Sequence, residues 1–186
     1  TLTVGSGSVL VINGKIDVSS LRAAKGSTVY CKSISNGNSA GVTFGNLYCV
    51  GDVSSYGMTV YSSADSQSNI FIGGNYTSNA SNASAIESYC KMVVAGNVSC
   101  GDITFKENGG LYCAGLITAK TVQNYESTVI VANGTIQTIS SCDFNNQGIV
   151  YTAGELYIDG DFINGSSAKA YCEGKLTING TDDAAY

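Results

Sequence analysis

A short motif recurs about every twenty residues along almost the whole chain. Leu47-Tyr48-Cys49-Val50-Gly51-Asp52-Val53 returns as Leu111-Tyr112-Cys113-Ala114-Gly115-Leu116-Ile117, and again as Ala170-Tyr171-Cys172-Glu173-Gly174-Lys175-Leu176. Looser copies run from Leu10, Ile70, Met92, Ile130 and Val150. A ninth copy, Val29-Tyr30-Cys31-Lys32-Ser33, has Ser where the glycine belongs. From Gly14 through Ser33 to Gly174 the spacings are 19, 18, 23, 22, 19, 19, 20 and 20 residues. A steady period of this length is the signature of a repeat architecture, in which each unit buries its apolar face against its neighbours.

Within each copy the order is apolar, any, small or apolar, any, Gly, any, apolar. That period of two makes the segments strands. A second strand follows most glycines, as at Met58 and Val60 or at Ile103 and Phe105. Between strands lie turn-forming runs such as Ser54-Ser55-Tyr56-Gly57, Asn145-Asn146-Gln147-Gly148 and Asp159-Gly160-Asp161. The absence of proline suits a chain built almost wholly of ladders and tight turns. The expected fold is all-β: a single parallel β-solenoid over residues 1–180, with about nine coils of 18–23 residues. The spacings fit a right-handed helix better than a rigid six-residue period. Residues 181–186 read as a short acidic tail.

Stacking coils turns each motif column into a row. The first and third positions should point inward, for example Leu47 with Cys49 and Leu111 with Cys113. The second should point outward, and it reads Val11, Tyr30, Tyr48, Phe71, Val93, Tyr112, Val131, Tyr151, Tyr171. An outward row is ordinarily polar; this one is aromatic or β-branched throughout. It could be a stabilising ladder, since such residues suit strands, or an apolar stripe for lateral contact, with Tyr30, Tyr48, Phe71, Tyr112, Tyr151 and Tyr171 as its members.

There are seven cysteines, four of them (Cys31, Cys49, Cys113 and Cys172) in the inward third row. They read mainly as reduced core thiols. Cys31 and Cys49, on successive coils, are the pair whose spacing could admit a disulfide, although in-register geometry suits one poorly. Seven Asn-x-Ser/Thr sequences occur, and the stretch from Asn75 to Ser84, read as a loop carrying Asn75, Asn79 and Asn82, is the best candidate for surface glycosylation. Several of the seven also arise simply from the repeated Gly-Asn turn.

The composition argues against chemistry. With no histidine, most nucleophile–base pairs, general bases near neutral pH and mixed Cys/His zinc sites disappear. No Cys-x-x-Cys or phosphate-cradling loop is present. The β-helical enzymes that degrade pectin hold calcium with several aspartates beside a basic residue; here the close acidic pairs are a turn (Asp159, Asp161) and the tail (Asp182, Asp183), and cations are scattered singly. The reading is a non-enzyme with no cofactor and no metal. A net charge of -5 removes the basic footprint of a nucleic-acid binder, and no apolar run approaches the roughly eighteen residues of a membrane helix.

The run of short apolar motifs with glycine, as in Met92-Val93-Val94-Ala95-Gly96-Asn97-Val98 and Leu111-Tyr112-Cys113-Ala114-Gly115-Leu116-Ile117, resembles the bactofilin-type polymer-forming proteins. The resemblance implies a right-handed β-helix that polymerises end to end into nonpolar, nucleotide-free filaments. This chain is longer than that pattern and rich in Asn, Tyr and Cys, which leaves a secreted or surface relative open. Independently, the end of a solenoid is a set of unpaired strand edges, which proteins usually cap or charge. Leu2 and Val4 at the start, and Leu176 and Ile178 at the end, read as strand rather than as a capping helix, and are the expected stacking residues. The expectation is therefore a structural protein whose partner is itself, forming a filament or fibre at the cell surface or outside the cell, with a cytoplasmic filament as the alternative location. The rival function is a monomeric secreted adhesin that holds a glycan or a protein on its solenoid face.

Overall fold

The structure is a computed structural model that describes residues 1–36, 42–60, 62, 67–78, 84–86, 90–106 and 108–180, without side chains at 84–86. Every regular element in it is a short β-strand, and three strands make one coil. Coil 1 is Leu2–Val4, Val9–Val11 and Lys15–Asp17; coil 6 is Ile103–Phe105, Gly110–Cys113 and Ile117–Ala119; coil 9 is Phe162–Asn164, Lys169–Cys172 and Leu176–Ile178. The first strands of all coils form one nine-stranded sheet, the second strands another, and the third strands a third. All pairings are parallel, and each strand pairs with its counterpart one coil away, as Leu47 does with Val29 and Ile70. Eight such steps carry the chain from Leu2 to Phe162, so the expected parallel solenoid is present.

The inward rows are as the motif implies. In the middle sheet Val29, Leu47, Ile70, Met92, Leu111, Ile130 and Val150 are all buried and stacked in register. The third sheet adds Ile16, Ile34, Val53, Tyr76, Val98, Ile117, Ile136 and Leu156, and the first adds Phe44, Phe105, Phe144 and Phe162. Each fully buried Val, Leu or Ile contributes about 1.5–3 kcal/mol relative to exposure. Because contacts are made only with the coil above and below, this core is a sum of nearest-neighbour terms.

The motif glycines follow from close approach rather than from a left-handed backbone. Gly134 donates its N–H to the Gly115 carbonyl at 3.1 Å. A Cβ there would stand 2.7 Å from that oxygen and 2.8 Å from its carbon. The column repeats from Gly51 upward, the glycine of each coil sitting on the one beneath it. In coil 8 a hydroxyl replaces the direct link: Gly154 N–H donates to Thr152 Oγ1, which itself donates to the Gly134 carbonyl. Third-row thiols use the same carbonyls, as Cys113 Sγ does with Gly96 O at 3.3 Å and Cys172 Sγ with Gly154 O at 3.3 Å. A small apolar residue with a weak donor therefore suits this position.

Three sequence expectations are corrected. Ser33 does not occupy the glycine position: it pairs with Lys15, the residue after Gly14, so the turn of coil 2 is one residue shorter and Gly51 N–H reaches Lys32 O at 2.7 Å. Ser54-Ser55 and Asn145-Asn146 are not turns but strand residues, with Ser55 and Asn146 buried. The stretch from Asn75 to Ser84 is not one loop, because Tyr76–Ser78 is a strand with Tyr76 in the core.

Candidate functional site

The outward row of the middle sheet is continuous. Val11, Tyr30, Tyr48, Phe71, Val93, Tyr112, Val131, Tyr151 and Tyr171 are register partners in unbroken succession. Tyr30, Tyr48, Phe71, Tyr112 and Tyr171 are exposed, Tyr171 at 51%. Tyr151 is half-buried, and its hydroxyl donates to Glu173 Oε1 on the next coil. That bond to a carboxylate, the largest cause, together with slight desolvation, raises the Tyr151 phenol above its ordinary range. The tyrosines at coils 2 and 3 form a stacked pair with centroids 5.0 Å apart. Beside them Val11, Val50 and Phe71 line a shallow apolar hollow, opened by the shortened turn at Lys32.

The other two outward faces are different in kind. On the third sheet the corresponding row includes Ser35, Ser54, Thr77, Ser99, Thr118 and Gln137. On the first sheet it includes Thr3, Arg22, Thr43, Thr59, Thr104 and Gln123. Strand propensity acts on all three sheets alike, so it does not by itself account for a row of aromatic and β-branched residues on one face when hydroxyl and amide side chains predominate on the other two, where Tyr157 and Ile163 are the departures.

At the terminal coils the inward rows lose part of their cover, although Ile16 and Phe162 stay buried. Among the described residues, the strands of coils 1 and 9 pair on one side only. Leu2, Leu10 and Ile12 are half-buried, Ala170 is exposed, Leu176 is 49% exposed, and Ile178 is half-buried. Val4, by contrast, is buried. Leu10, Ile12 and Ala170 belong to the terminal surface although only their place in the stack reveals it.

All seven cysteines are free thiols. Cys31 and Cys49 are register partners, and the hydrogen bond between their side chains, then burial, pushes the Cys31 thiol up. Burial pushes Cys90 and Cys100 up to about 12. Among the described residues no group of three or more Cys, Asp or Glu side chains could hold a metal ion.

Asn75 is exposed, but both ends of its amide are engaged. Its Nδ2 donates to Asp52 Oδ1 at 3.2 Å, and its Oδ1 accepts from Asn97 N–H at 2.9 Å. Asn97 Oδ1 continues the chain by accepting from Leu116 N–H at 2.8 Å. Asn79, Asn82 and the acidic tail 181–186 lie outside the described residues.

A buried polar ladder was missed by the sequence reading. Asn124 Nδ2 donates to Asn146 Oδ1 at 2.7 Å, and Asn146 Nδ2 to Asn164 Oδ1 at 2.8 Å, at the corner after the first sheet. Its signal was legible as Val122-Gln123-Asn124, Phe144-Asn145-Asn146 and Phe162-Ile163-Asn164, one apolar-x-Asn per coil. With that geometry in place, no known protein family, curated protein or solved structure gives a match to this chain.

Proposed function

We propose that this chain is a non-enzymatic structural protein that assembles with copies of itself, stacking coil 1 on coil 9 into a fibre and associating laterally through its tyrosine row. The observation that carries the reading is the pair of open ladders: parallel strand edges and half-covered core rows at coils 1 and 9, with Leu176 exposed where its counterparts in the inner coils are buried. A second copy supplies both the missing hydrogen bonds and the missing apolar cover, which is what an unpaired edge recruits. The aromatic face supports the lateral part, because it differs from two hydroxyl-rich faces built on the same repeat. The resemblance to bactofilin-type polymers points the same way, and the fibre would serve at the cell surface or outside the cell.

Sedimentation velocity of the purified chain across a concentration series tests this. Species far heavier than the 19.1 kDa chain, growing with concentration, support assembly; one monomeric species throughout refutes it. The stacked Tyr30–Tyr48 pair beside an apolar hollow favours one second reading, a monomeric adhesin that lays a sugar ring on those aromatic faces. Glycan affinity in a monodisperse monomer would favour that reading instead.

A further inference from the structure

The two ends of the solenoid carry opposite charge. In coils 1 and 2, four cations, Lys15, Arg22, Lys25 and Lys32, face one carboxylate, Asp17. Lys15 is paired with Asp17 at 2.9 Å, and the net count for the two coils is three positive charges, with Arg22, Lys25 and Lys32 all on coil 2. In coils 8 and 9, five carboxylates (Asp143, Glu155, Asp159, Asp161, Glu173) outnumber two lysines, Lys169 and Lys175. The surplus there is three negative charges. Asp159 is held ionised: the N–H of Ser141 and the amide of Asn179 donate to it and lower its pKa.

We propose that the fibre is directional, the coil 9 face of each copy receiving the coil 1 face of the next. This rests on the end-stacking reading above and adds the orientation of the partner. Head-to-tail stacking continues every parallel ladder, placing Phe162 under Leu2, Tyr171 under Val11 and Leu176 under Ile16 of the next copy. The aromatic row then runs unbroken across the junction. Glu173 and Lys32 of the next copy stand in adjacent columns two rungs apart, about 10 Å along the axis at the spacing of hydrogen-bonded strands, within reach of two long side chains. Lys175 meets the already paired Lys15. Head-to-head or tail-to-tail stacking would instead bring like surpluses together and make the junction strands antiparallel. This orientation differs from the nonpolar filament that the bactofilin resemblance implies.

Range decides how the charges act. The surpluses on coils 8 and 2 are three rungs apart across the junction, about 14 Å. That exceeds the Debye length of about 8 Å at physiological ionic strength but falls inside the roughly 30 Å at 10 mM salt. The charges therefore orient the encounter and set its rate, while the ladders and core rows hold the joint.

The experiment compares elongation, by light scattering at 10 mM salt, for the wild-type chain, R22E/K32E, E155K/E173K, and an equimolar mixture of the two variants. Each variant alone elongates at least about tenfold more slowly, and the mixture recovers the wild-type rate by alternating copies. Raising the salt slows the wild type, a readout that needs no variant to fold. Variants that elongate as fast as wild type, a mixture that fails to recover, or a wild type that speeds up with salt would each overturn the directional arrangement. A wild type that forms no polymer at all would instead sink the end-stacking reading beneath it.

Discussion

The rings of Tyr30 and Tyr48, one coil apart, lie 5.0 Å centroid to centroid with planes inclined by 13°. Strand pairing sets this spacing, and it makes adjacent tyrosines a flat exposed platform rather than a pair folded back on the core. A cross-strand pair of this kind is worth about 0.2–1 kcal/mol, too little to account for the concentration of aromatic residues on one face.

The triple variant Y48S/Y112S/Y151S separates ladder from interface. The expected result is single fibres without lateral bundles, with a far-ultraviolet spectrum unchanged and a melting temperature lowered by less than about 12 °C, at about 2–4 °C per kcal/mol for a chain of this size. Unfolding of the variant would return the row to a purely stabilising role.

Asn146 is the centre of the buried amide ladder, donating to Asn164 Oδ1 and accepting from Asn124 Nδ2. Asn146→Leu is close in volume but takes the Oδ1 acceptor from Asn124 Nδ2 and the buried Gly148 N–H and the donor from Asn164 Oδ1, with an expected cost of about 2–4 kcal/mol. Urea denaturation gives the value. Asn164→Leu, at the last link and half-buried, should cost less.

Gly134→Ala should destabilise by about 2 kcal/mol or more, because the new methyl would lie 2.7 Å from the Gly115 carbonyl and only backbone movement relieves it. Gly14→Ala meets nothing within 4 Å and should fall within about 0.5 kcal/mol of wild type. Thermal melts of the two side by side check that the glycine column exists for close packing of coils.

Cys90 and Cys100 are raised by burial from 9.0 to about 12. A folded-state pKa above the unfolded one means that the unfolded chain loses its protons first, so the stability these thiols contribute is complete below about pH 9 and is lost as pH rises toward 12. Cys100→Val should flatten that alkaline decline in denaturant titrations. At pH 8 the native protein should react with a thiol reagent at half-exposed Cys142 and Cys172 well before Cys90 or Cys100.

The solenoid was legible because the inward rows are apolar and their period shows directly in residues such as Leu47, Leu111 and Val150. The tyrosine row was legible for the same reason. What the sequence hid was polar or positional. Ser55 and Asn146 read as turn residues because their types favour turns, but cross-coil amide and hydroxyl bonds let them sit inside a strand. Ser33 read as a substitute for glycine because composition alone does not reveal a turn shortened by one residue. Val4 read as a stacking residue and is buried, while Ala170 and Leu10 gained their exposure only from standing in the last and first coils. The opposed end charges needed the coil assignment before Lys32 and Glu173 could be put on the two terminal parts of one solenoid.

Electron microscopy of the purified chain tests self-assembly most directly. The account calls for unbranched fibres, gathered side by side into bundles, with an axial repeat of about 43 Å, nine rungs at about 4.8 Å each. Isolated particles one chain long, at every concentration and salt tried, would contradict it.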